Sequence, residues 1–215
     1  ITLLREREEF VSALIAKVDR YEDAEHGEGF WIDHWAYLID LLESYSGLYP
    51  EKLEEVLCHK KEFTFYDNSH LVRTRSDKHV LYKNGKVLQL GAVYRCHAKE
   101  ELMVSRKVEP YKVRTNRGKG DIYTTTLFAK LLTLIVNKIA SLDPSGIGIE
   151  MEADKPSWYD ALNGLPALFG SSSCETFELL RLIKFILEKV KEISLEDNFT
   201  IALPEEVYEF ILSMN

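Results

Sequence analysis

Apolar residues recur at helical spacing along most of this chain and crowd into β-type runs in one middle stretch. In residues 4–21, Phe10, Leu14, Ile15 and Val18 share one face with charges opposite, which predicts an amphipathic helix. The run FWIDHWAYLIDLLESYS (30–46) is apolar around much of its circumference and predicts a buried helix that stops at Gly47. Pro50 suits the first turn of a short helix over 51–58, and another short helix is expected over 99–107. A longer one is predicted over 121–142, with Leu127, Leu131, Leu134 and Ile135 on one stripe and Asp143-Pro144-Ser145-Gly146 as its stop. The helix predicted over 175–193 carries Phe177, Leu180, Ile183, Leu187 and Val190, and a last one runs over 204–213.

The middle reads differently. Residues 62–66, 80–83 and 86–94 are rich in β-branched and aromatic residues, and Asn84-Gly85 between two of these runs is a type I′ hairpin signal. The expectation is a mainly α protein, one domain over 1–215, with a β-hairpin insertion at 62–94. Long helices in hairpin-like succession point to an α/α array more than to a small bundle.

Composition narrows the function classes. The chain has 215 residues, 46% hydrophobic and 11% aromatic, which suits a folded domain with a sizeable core. Its net charge of −8 disfavours nonspecific binding to nucleic acid or to an acidic membrane. No apolar run reaches the roughly 18 residues of a membrane span, and the first residues lack a signal-peptide core. Cys58, Cys96 and Cys174 form no paired spacing, so a reducing compartment, the cytoplasm, is expected.

The stretch 148–170, GIEMEADKPSWYDALNGLPALFG, concentrates candidate chemistry. Glu150, Glu152 and Asp154 precede Pro156, then Trp158, Tyr159 and Asp160. Aromatic faces beside carboxylates suit a sugar ring: the rings cover its C–H face, and the acids accept hydroxyl hydrogen bonds or move a proton. The plain alternative is a loop whose Trp158 plugs a core and whose acids are solvated. A second constellation, GEGFWIDHW (27–35), places Glu28, Trp31 and Asp33 where a loop becomes a helix. It reads as a pocket rim or as a capped helix with two core tryptophans. A metal set from His26, Glu28, Asp33 and His34 is poorly supported, because adjacent helical residues diverge.

Two basic stretches are the anion candidates. RTNRGKGD (114–121) combines three cations, Arg114, Arg117 and Lys119, with two glycines just before the predicted long helix, where an anion can sit on a helix N-terminus; Arg117 and Lys119 are the phosphate candidates. It does not fit the phosphate-loop pattern, since Gly120 follows Lys119; a solvated basic loop is the simpler reading. Arg73 and Arg75 alternate on a segment read as extended, which would put both on one face. No serine or cysteine has a base at a recognisable spacing.

The stretches 27–52 (GEGFWIDHWAYLIDLLESYSGLYPEK) and 142–187 (LDPSGIGIEMEADKPSWYDALNGLPALFGSSSCETFELLRLIKFIL) resemble segments of cellobiose-phosphorylase-like proteins, which belong with the carbohydrate-active α/α toroid enzymes. The six residues Trp158 to Asn163 are similar to the Trp-Asn-Asp or Trp-Met-Asp-Ala signature of glycoside phosphorylases and debranching glucosidases. The resemblance implies that Asp160 is the general acid; Tyr159 departs from the usual Asn. It further implies an oligosaccharide or disaccharide substrate, no cofactor other than inorganic phosphate as co-substrate, and as partner a second copy in a homodimer or the remaining part of the full-length enzyme. A twelve-helix toroid takes roughly twice this length. The expectation is therefore a partial barrel from a larger enzyme acting by phosphorolysis. A hydrolase of the same fold and a noncatalytic carbohydrate-binding helical domain are the alternatives.

Overall fold

The computed structural model describes residues 7–17, 32–81, 84–85, 87–89, 93–143, 146–150, 171–193 and 199–214. Over these the chain is mainly helical. The helices are α1 (Arg7–Ile15), α2 (Ile32–Leu48), α3 (His97–Val104), α4 (Leu127–Ile139), α5 (Ser173–Ile193) and α6 (Glu205–Ser213). A 3₁₀ turn at Pro50–Lys52 continues into a wider helical turn at Glu55–His59, close to the short helix predicted there.

The core lies where α2, the 53–58 segment, α4 and α5 meet. Leu127, Leu131 and Ile135 recur every four residues on α4, while Leu179, Leu182 and Ile186 recur at three and four on α5. Each spacing keeps one helix face inward. Ile39 and Leu42 from α2, Leu53, Leu57 and Cys58 from the turn, Phe185 from α5 and Ile149 complete the cluster. Each such side chain, fully buried, stabilises the fold by roughly 1.5–3 kcal/mol. At the rim, Arg181 of α5 clamps α2: its Nη2 lies 2.7 Å from Asp40 and 2.5 Å from Glu43.

The predicted apolar stripe on α5 chose the wrong face in part. Ile183 and Val190 pack against the core, but Phe177 and Leu187 are 68% and 56% exposed. Phe177 and Leu180 instead line a groove of about 560 Å³ beside α2. Helix α2 is likewise buried on one face only, with Tyr37, Leu41 and Leu48 exposed. On α1, Phe10, Val11, Leu14 and Ile15 are exposed too. Both helices 2 and 5 carry apolar residues on more than one face, so spacing alone could not rank the faces.

Among the described residues, three short antiparallel ladders accompany the helices. β1 (His70–Val72) pairs with β4 (Val93–Arg95), and between them in sequence β2 (His79–Leu81) pairs with β3 (Val87–Gln89). A two-residue Asn84-Gly85 turn would oppose Leu81 to Leu88; Leu81 instead stands opposite Val87. Gly85 takes φ +75, left-handed backbone that glycine adopts without a steric penalty. β5 (Ile149–Glu150) pairs with β6 (Ser171–Ser172), just before α5.

Candidate functional site

The helix expected from Asp121 begins six residues later. Residues 121–126 include Tyr123 and three consecutive threonines, whose restricted χ1 disfavours helix and favours extended backbone. Thr126 is the N-cap of α4, its hydroxyl accepting from the Ala129 amide at 3.3 Å. Upstream of it the chain is extended and paired. Phe63 and Thr125 exchange both backbone hydrogen bonds, at 3.1 and 2.9 Å. The Tyr123 amide donates to the Val113 carbonyl at 2.8 Å, and the Val113 amide donates to Phe65 at 3.0 Å. Segments 63–67, 111–115 and 121–125 thus form an irregular three-part ribbon. Phe65 and Tyr123 stack across it with ring centroids 5.9 Å apart, as do Tyr66 and Tyr111 at 6.0 Å. Lys130 of α4 reaches back to it, donating to the Thr64 carbonyl at 2.6 Å, and burial holds its ammonium pKa below the ordinary value.

Arg106 is the hub of this ribbon. Its side chain is 5% exposed. Nη1 donates to Asp67 Oδ2 at 2.8 Å and to the carbonyls of Pro110 and Lys112; Nη2 donates to the Gly118 carbonyl at 3.2 Å. Asp67, itself buried, takes Lys99 Nζ on its other oxygen at 2.6 Å. One carboxylate between two cations leaves the group net positive. Gly118 has φ +87, and a Cβ there would stand 2.9 Å from Arg106 Nη2. Only glycine permits this approach without displacing the guanidinium. Gly120 is equally constrained, since a Cβ would meet Thr115 Oγ1 at 2.2 Å.

Beside the hub is a cavity of about 450 Å³. Its charged lining residues are Arg106, Lys107, Arg114 and Lys119, with no carboxylate among the lining. Arg114 donates to the carbonyls of Val108 at 2.6 Å and Gly120 at 3.2 Å. Among the described residues, no acid pairs with Lys107, Arg114 or Lys119. The Nε atoms of Arg106 and Arg114 are buried without a hydrogen-bond partner. Asn116 and Arg117, in the turn Thr115–Gly118, have left-handed backbone at φ +49 and +53.

The predicted site residues fare unevenly. Asp160, Trp158, Tyr159, Glu152, Glu28 and Trp31 lie outside the described residues. For Glu150 and Asp33 the backbone is placed, in β5 and α2, but not the side chain. Of the anion candidates, Lys119 lines the cavity, while exposed Arg117 is not among its lining residues. The helix-terminus geometry expected for Arg117 and Lys119 is absent, because the ribbon separates them from α4. Nor do Arg73 and Arg75 alternate on one strand. β1 ends at Val72, and Arg75 opens a 3₁₀ turn (Arg75–Lys78) in which Thr74 Oγ1 donates to Asp77 at 2.8 Å. Arg73 lies over the Tyr94 ring, 5.1 Å from its centroid.

Sequence reading placed Arg114 and Lys119 in one basic stretch but missed Arg106 and Lys107. Bonds to backbone carbonyls bring them together, Arg106 to Gly118 and Arg114 to Val108 and Gly120, and Asp67, 39 residues before Arg106, adds a distant tie. The paired glycines of RTNRGKGD were the available signal; they mark close backbone approach to Arg106 and Thr115.

All three cysteines are free. Among the described residues no helix is long and apolar enough to cross a membrane, and no three His, Cys, Asp or Glu side chains gather as a metal set. No family model, curated protein or solved structure matches this chain.

Proposed function

We propose that this chain is part of an enzyme that cleaves glycosidic bonds by phosphorolysis, with Asp160 as general acid. The substrate is an oligosaccharide or disaccharide, and inorganic phosphate is the nucleophile. The helices would form part of an α/α toroid, whose remainder comes from the rest of the enzyme or from a second copy.

The reading rests on the 142–187 stretch and its Trp-Tyr-Asp core. The supporting observation is how residues 151–170 are bounded. Ile149 stands opposite Ser172 and Glu150 opposite Ser171, so the two ends of the stretch meet. That base is anchored: Ile149 is buried in the core, and its amide donates to Thr176 Oγ1 at 3.0 Å. Asp143 holds the preceding turn through the Gly148 amide at 2.9 Å. The residues on either side of this polar, aromatic sequence are thus anchored to the core, which supports reading it as a place for binding and catalytic residues.

In the proposed step Asp160 protonates the glycosidic oxygen as the anomeric C–O bond breaks. A phosphate oxygen attacks the anomeric carbon from the opposite face and inverts it. The products are a sugar 1-phosphate and the released alcohol. Trp158, two residues before Asp160, would limit its solvation and raise its pKa, keeping the carboxyl protonated. Glu150, Glu152, Glu28, Trp31, Asp33 and Tyr159 are the proposed sugar contacts.

The test incubates the longest natural protein carrying this sequence with a disaccharide panel, with and without inorganic phosphate. Phosphate-dependent release of a sugar 1-phosphate is expected. Asp160→Asn should cut the rate by about 10²–10⁴-fold while sugar binding persists. Full turnover in Asp160→Asn would overturn the acid assignment, and release of free sugar without phosphate would identify a hydrolase.

A further inference from the structure

We propose that the cavity lined by Arg106, Lys107, Arg114 and Lys119 is a binding site for a phosphate group, free or carried on a small molecule. It includes none of the residues from Glu150 to Asp160 and stands or falls separately from the glycosidic reading.

Three observations carry it. First, the charged lining is uniformly cationic in a chain of net charge −8. On such a surface carboxylates are plentiful, yet Lys107, Arg114 and Lys119 pair with none among the described residues. Second, Arg106 and Arg114 each keep a buried Nε–H with no acceptor. A buried unmade donor costs about 1–3 kcal/mol, and more when charged, so these guanidiniums keep an unmet demand for negative charge beside the cavity. Third, the guanidinium at the base is already fixed. Asp67 and three carbonyls hold Arg106 before any ligand arrives, and two carbonyls hold Arg114. Preorganised donors lose little entropy on binding.

The ligand class follows from the donors. The fixed guanidiniums of Arg106 and Arg114 make the base positive, and exposed Lys107 and Lys119 supply mobile ammonium donors for phosphate oxygens at the rim. A volume of about 450 Å³ falls in the range of small-molecule pockets and exceeds what phosphate alone would fill. The site therefore has room for the group that a phosphate ester carries.

The experiment is calorimetric titration of the chain at low ionic strength with two probes, inorganic phosphate and a hexose phosphate. Saturable 1:1 binding of at least one is expected. Tighter binding of the ester would mean that the cavity holds the carried group; equal affinity would mean that it reads the phosphate alone. Arg114 holds backbone, so its replacement risks misfolding. The decisive variant is the surface pair Lys107→Ala/Lys119→Ala, which should keep the parent melting temperature and bind about tenfold more weakly. Absence of saturable binding by both probes, or affinity unchanged in that double variant, would overturn the site.

Discussion

The core and the ribbon are held by different forces. Where α2, α4 and α5 meet, stability comes from apolar side chains whose spacing matches the helix period. In the ribbon of residues 63–67, 111–115 and 121–125, regular elements are lacking. A buried guanidinium does what a core would do, tying Asp67 and three carbonyls together. Apolar contacts tolerate small shifts, whereas hydrogen bonds and ion pairs demand defined geometry. A region of the second kind suits precise placement of charges around a cavity.

The sharpest break of this contrast on the core side compares two leucines of α5. Leu182 is 0% exposed, so Leu182→Ala should cost about 4 kcal/mol in urea unfolding. Leu187→Ala, one and a half turns on but exposed, should stay within about 0.5 kcal/mol. Similar costs for the two would mean that the buried face of α5 is misassigned. On the ribbon side, Asp67→Ala leaves Arg106 buried without its carboxylate and should cost about 3 kcal/mol. A cost near zero, measured the same way, would show that Arg106 is held by carbonyls alone.

The smallest effect tests the seam between the regions. Burial lowers the Lys130 pKa in the folded chain, so between that value and the ordinary ~10.4 the unfolded chain binds the extra proton. The contribution of Lys130 to stability therefore rises with pH through this window and is level below it. Lys130→Met should lack that rise relative to the parent in unfolding measured across alkaline pH. An identical pH slope in both would mean that the ammonium is not desolvated in the folded chain.

Much of the helical content was legible because long apolar periods leave few alternatives. α5 and α6 lie close to their predicted spans. The faces were less legible, since α5 carries leucines on two sides and only the neighbours decide between Leu182 and Leu187. The start of α4 was misread because Leu127 to Ile139 dominates the period, whereas Thr124 to Thr126 favours strand. Of the proposed phosphate site, Arg114 and Lys119 were legible in the basic stretch 114–121 with its two glycines. Arg106 joins them through its bonds to the Pro110, Lys112 and Gly118 carbonyls and to distant Asp67, contacts that residue spacing does not announce. The proposed acid, Asp160, was legible as a motif, and its test is chemical.

Amide hydrogen exchange with and without inorganic phosphate, compared in the parent and in Lys107→Ala/Lys119→Ala, tests the account most directly. Phosphate should slow exchange in residues 105–120 of the parent, leave α4 and α5 unchanged, and have far less effect in the double variant. No slowing in 105–120, or equal slowing throughout the chain, would contradict a phosphate site built on the ribbon.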